Sequence, residues 1–171
     1  MDVLVITPHP FRITARVPDD MVRLDSGGEW AAWTGVASAR ASADPGAGDG
    51  ERTSVVLVAI AVTPFAPAPG IAPADALSAT LRARHQAGAV LDELSTADGN
   101  PGLRVRCAVT ERRGGRTVTT GQVQAFVAFP GAGALAVVSA VCPDPADLDR
   151  AAGLVTGIAA RMAVTAATAA A

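Results

Sequence analysis

Lysine and tyrosine are missing from this 171-residue chain, and aromatic residues of any kind make up only 4% of it. A core built around aromatic anchors is thereby excluded. With 38 alanines and 20 valines, close packing has to come from many small contacts. Cysteine is scarce as well: Cys107 and Cys142 are too few for a disulfide framework and sit in apolar runs, as buried thiols do. No apolar stretch approaches the roughly 20 residues of a membrane-spanning helix. The most hydrophobic window, Val55 to Val62, has the length of a strand. Charge is nearly balanced at a formal −2, which gives no general attraction to nucleic acid or to an anionic membrane. All 14 basic residues are arginine, a bias that points to a high-GC genome of the actinobacterial kind. The stretch from Met1 to Pro8 has an acid where a secretory leader needs positive charge. The expectation is a cytoplasmic chain.

At this length one domain can bury roughly 70% of the surface its unfolded form exposes. We expect residues 1–10 as an N-terminal extension, 11–164 as a single domain, and 165–171 as a frayed alanine-rich tail. Phe11 to Val17 alternates apolar and polar side chains, which predicts a strand ended by Pro18. In Glu29 to Arg40 the spacing of Trp30, Trp33, Val36 and Ala37 predicts a short helix docked on the sheet. Ala41 to Gly50 is too poor in apolar surface to offset its ordering entropy and reads as a loop. Val55 to Val62 predicts a covered strand. Pro73 opens a helix through about Ala87, with Leu77 and Leu81 on its buried side. Val90 to Leu94 predicts a short strand before the Asp98 to Gly102 turn.

Three β-branched runs then form a meander. Leu103 to Thr110 turns at Arg113-Gly114-Gly115 into Gln122 to Phe129, and Pro130 to Gly133 leads into Leu135 to Cys142. A turn centred near Gly114 places Arg104 opposite Gln124 and Arg106 opposite Gln122, which predicts a polar Arg/Gln stripe on one face. Asp144-Pro145 caps and opens a last helix, with Leu148, Ala151, Val155, Ile158 and Met162 as its core stripe. The fold class predicted is α+β, a mostly antiparallel sheet flanked by helices.

This order of elements resembles the PsbP-like α/β/α sandwich, together with Phe11 to Pro18, the Pro130 to Gly133 turn, and Val141-Cys142-Pro143-Asp144 before the last helix. That group takes in the photosystem II PsbP subunit, a Ran-binding import factor, LpqN-type lipoproteins and DcrB-like secretion chaperones. Two departures stand out: Met21 and Val22 replace a tryptophan common after the first strand, and the lipobox cysteine of the LpqN type is absent. The resemblance implies a non-catalytic domain acting as adaptor, assembly factor or chaperone, for example in a secretion or toxin system.

The candidate chemistry is thin. Gly131-Ala132-Gly133-Ala134-Leu135-Ala136 matches a dinucleotide fingerprint, but Val137, Val138 and Val141 predict a strand where that motif needs a helix, so no cofactor is expected. His9, His85, Cys107 and Cys142 contain no local ligand pair, so no metal is expected. A His85, Cys107 and Asp92 set has the residue types of nucleophilic catalysis without a local signature, and no catalytic residue is assigned. Arg104, Arg106, Arg112, Arg113 and Arg116 concentrate on one hairpin, where guanidinium forks suit an acidic protein partner better than nucleic acid. With Gln122 and Gln124, and with Phe65 and Ile71 of the Pro-rich segment, they form the predicted protein-binding surface. The competing reading is a small-molecule binder or secondary-metabolism enzyme with a pocket between the sheet and the Trp30/Trp33 helix.

Overall fold

The computed structural model describes residues 2–6, 11–19, 21–24, 31–37, 54–84 and 89–166. Strands β1 (Asp2–Ile6) and β2 (Phe11–Val17) form a three-stranded antiparallel sheet with β10 (Ala163–Ala166), in the order β1-β2-β10. The second sheet comprises β3 (Met21–Leu24), β4 (Ala31–Ala37), β5 (Ser54–Pro64), β6 (Val90–Ser95), β7 (Pro101–Arg113), β8 (Arg116–Phe129) and β9 (Ala134–Cys142). Its order is β3-β4-β5-β9-β8-β7-β6, and every pairing is antiparallel. Helix α1 (Pro73–Arg84) lies on one face of this sheet and α2 (Leu148–Ala159) on the other. The result is the α+β sandwich expected from the sequence.

The main core lies under α2. Ala151, Ala152, Val155, Ile158 and Ala159 of the helix are buried against Val123, Ala125, Val127 and Phe129 of β8 and the even-numbered residues of β9. Alanine on both surfaces lets helix and sheet approach closely, which suits a chain poor in aromatics. Ile13, Ala15 and Val17 of β2 complete the same core. At Gly121 an added Cβ would meet Cys142 Sγ at 2.5 Å and Leu148 Cδ1 at 2.7 Å, so any larger residue there would have to displace both side chains at the start of α2. A smaller core lies on the opposite face, where Leu77 and Leu81 of α1 cover Val105 and Phe126.

Several expectations are corrected. The helix predicted for Glu29 to Arg40 is not formed; Ala31–Ala37 is strand β4, in seven-residue register with β5. Four residues at helical spacing are weak support against β-branched Thr34 and Val36 and a ready sheet neighbour. Asp2–Ile6 and Thr165-Ala166, expected outside the domain, both pair with β2. Ala41 to Gly50, Trp30 and His85 fall outside the described residues. The strands at 11–17, 54–64 and 90–95, the three-stranded meander and helix α1 match the sequence reading; α2 is where expected but opens through a 3-10 turn at Pro145–Asp147 and ends at Ala159, short of Met162, which is buried in the same core. Among the described residues no helix is long and apolar enough to cross a membrane.

Candidate functional site

The β7–β8 hairpin contains most of the residues singled out from the sequence, and its register decides what each can do. Gly114 and Gly115 have φ of 57° and 81°, the left-handed pair of a two-residue type I′ turn. Arg113 therefore faces Arg116 directly, and the ladder continues through Thr110 with Thr119 to Arg106 with Val123 and Arg104 with Ala125. This is one residue away from the register expected, and in a strand one residue exchanges the faces. The predicted Arg/Gln stripe does not exist. Gln122 and Gln124 pair with Cys107 and Val105 on the α1 face, while Arg104 and Arg106 point to the α2 face.

Those two arginines are occupied there. Arg104 donates from Nη2 and Nε to Asp92 Oδ2, at 2.7 and 3.3 Å, and from Nη1 to Thr156 Oγ1 at 3.0 Å. Arg106 Nη1 donates to Asp149 Oδ1 at 3.1 Å. Its Nε is 3.3 Å from Asp92 Oδ2, an ionic contact without hydrogen-bond alignment. The hydrogen bond from Arg104 outweighs partial desolvation and holds the Asp92 carboxyl below its ordinary range. The cluster ties the β6–β7 edge to α2.

The rest of the hairpin is a different object. Pairing of β8 with β9 stops at Gly121, and pairing of β6 with β7 stops at Arg106. Among the described residues, Val109 to Thr120 thus has no neighbouring strand and forms a two-stranded arm. Arg112 and Arg116 are exposed at its tip, and Val118 is 40% exposed on its shaft. For Arg113 the structure gives the backbone position beside the turn. Gln122 and Gln124 lie at the root of the arm, half-buried, with Gln124 Nε2 donating to Ser139 Oγ at 3.3 Å.

Of the Pro-rich segment, Phe65 is half-buried against the α1 core, and its amide donates to Gly133 O at 2.8 Å. Ile71 is 49% exposed.

The Cys107, Asp92 and His85 set does not assemble from its described members, because Cys107 faces α1 and Asp92 faces α2. Burial pushes both thiols up, Cys142 while its Sγ donates to Gly121 O. The glycine-rich segment at 131–133 is a turn of 3-10 helix and then β9, as its valines predict. Among the described residues no three His, Cys, Asp or Glu side chains come together as a metal group.

One feature escaped the sequence reading. Between α1 and the β6–β7 edge runs a groove of about 540 Å³, with Leu77, Leu91 and Leu103 in its floor and Asp75, Arg82 and Glu93 exposed along its rim. The pocket expected beneath a Trp30/Trp33 helix has no helix to form it, since β4 takes that place. The alternation of Leu91 and Glu93 is a signal in the sequence, but the neighbour that makes a groove of it comes from the tertiary fold.

Strands, helices, arm and groove together define an α+β sandwich of two antiparallel sheets with helices on both faces of the larger. A solved structure with a similar fold is that of LpqN, described as involved in cell envelope biogenesis of Mycobacterium tuberculosis. The two superimpose with a TM-score of 0.53 at 15% identity, over 96% of this chain and 91% of that one. No family profile matches the chain, and no curated protein sequence does.

Proposed function

We propose that this chain is a PsbP-like, non-catalytic adaptor or chaperone domain that grips another protein with the β7–β8 arm. In this reading Arg112, Arg113 and Arg116 meet acidic side chains of the partner, and Val109 and Val118 supply apolar contact. Gln122 and Gln124 extend the surface at the root of the arm. The observation that carries the reading is the arm itself. A two-stranded ribbon without a third strand gains little stability of its own, so a long one with an arginine-rich tip fits contact rather than scaffolding. Arg104 and Arg106, expected in the contact surface, are assigned instead to the scaffold because α2 and Asp92 already engage them. The fold likeness to LpqN, a protein of cell envelope biogenesis, is in keeping with an assembly role.

The test is affinity capture from source cells with wild type and an Arg112→Glu/Arg116→Glu variant of unchanged thermal stability. The expected result is a partner recovered by wild type and reduced at least fivefold by the variant. Equal recovery by both, or no partner with wild type, overturns the proposal.

A further inference from the structure

Strand β6 is the last strand of the seven-stranded sheet, and β7 is its one strand partner among the described residues. Its other edge presents backbone N–H and C=O groups, which template a further strand unless something covers them. Inward of that edge α1 packs over β7 and β8, where Leu77 and Leu81 cover Val105 and Phe126, and Leu91 of β6 lies at the margin of that contact. The groove between α1 and β6, about 540 Å³, falls in the size range of recognition clefts, about 300–1,000 Å³. A free strand edge beside a cleft with an apolar floor is the arrangement in which an extended peptide adds to a sheet and drops alternate side chains into that cleft.

The charges on this edge select the occupant. The β6 sequence Val90-Leu91-Asp92-Glu93-Leu94-Ser95 has two acids and no base. Arginines on the α2 side engage Asp92. Glu93 lies on the groove side with Asp75 of α1, both exposed and without an ion pair among the described residues, and Arg82 is the one base on the rim. A second copy of the chain is a poor occupant: the two centred antiparallel registers of β6 on β6 set Asp92 opposite Asp92 or Glu93 opposite Glu93, and like charges directly opposed destabilise a pair. An incoming strand with a basic side chain beside Glu93 and an apolar one two residues away, beside Leu91, matches this lining.

We infer that β6 and α1 form a peptide-binding site that takes an extended protein segment, alternately apolar and basic, as an eighth strand. This surface is separate from the arm and does not rest on the function proposed for it.

The test uses nuclear magnetic resonance titration of the whole chain with the capped peptide Thr-Val-Thr-Lys-Thr-Val-Thr, whose alternate side chains place Val, Lys and Val in the groove. Saturable shifts confined to β6 and the facing side of α1 are expected. Replacing the central Lys by Glu should weaken binding about three- to tenfold, the range for gaining and losing a rim ion pair. Glu93→Lys should reverse that preference, which a merely sticky groove would not do. Alternate N-methylation of the peptide should abolish binding, since backbone pairing carries the affinity. No saturable shift up to about 2 mM, the weak limit of useful affinity, overturns the inference. So do shifts centred elsewhere, indifference to N-methylation, or a wild-type dimer paired through β6.

Discussion

Replacing Arg104 by Met separates a scaffold role from a contact role, because methionine retains an apolar stem while removing every donor. Arg104 makes two hydrogen bonds to Asp92 and one to Thr156, with side chains 24% and 32% exposed in the ion pair. Hydrogen bonds to charged groups contribute about 1.5–3 kcal/mol, and exposed ion pairs about 0–1. This pair lies between those limits, and Arg106 stays within 3.3 Å of Asp92, so the carboxylate is not stranded. The expected loss is about 2 kcal/mol, which for a chain of this size lowers Tm by about 4–8 °C.

The same argument gives a pH dependence. Asp92 titrates below its ordinary value when folded, so its contribution is complete above the unfolded pKa of about 4 and is lost as pH falls through the folded value. Urea unfolding followed by circular dichroism at pH 7 and at about pH 3 should show the gap between wild type and Arg104→Met narrowing at the lower pH. An Arg104→Met variant within about 0.5 kcal/mol of wild type at pH 7, the range of an ordinary surface substitution, refutes the reasoning. So does a gap that ignores pH. If such a variant also lost its partner, Arg104 would belong to the contact surface.

Other outcomes follow from the packing. Gly121→Ala drives a methyl into Cys142 and Leu148, and the overpacking should cost about 1–3 kcal/mol in a chemical denaturation curve. Phe129→Ala empties a fully buried site beneath α2 and should cost about 3–5 kcal/mol in the same measurement. With a thiol-reactive dye at about pH 8, near the free thiol pKa, half-buried Cys107 should react slowly and Cys142 only on unfolding, as mass spectrometry of the labelled peptides would show. Hydrogen exchange should find the amides from Val109 to Thr120 at least about a hundredfold less protected than those from Val123 to Val127, which lie inside the sheet.

The strong periodic signals of the chain proved sound. Leu77 and Leu81 at helical spacing, the alternation through Val123 to Phe129, and the capped stripe of Ala151, Val155 and Ile158 each reflect one element burying one face, which sequence alone records. Asp144 caps the turn as expected, its side chain accepting from the Ala146 amide at 2.9 Å. Where several partners compete, the reading fell short. Residues 31–37 become a strand because β5 offers a ladder, and no local count of tryptophan spacing includes that neighbour. The Arg/Gln stripe failed for a smaller reason. The distinction between a turn centred on Gly114 and one between Gly114 and Gly115 is a single residue, yet it moves two arginines from the presumed contact face to the base of α2. The groove depended on sheet order, since nothing in Val90 to Ser95 says that it will be an edge.

The separation of an arginine-tipped arm from an arginine-bolted scaffold depends on that register, and cross-strand proton contacts from nuclear magnetic resonance read it directly. The account predicts backbone contacts joining Arg104 with Ala125, Arg106 with Val123 and Thr110 with Thr119. Contacts joining Arg104 with Gln124 and Arg106 with Gln122 would restore the single polar stripe and contradict it.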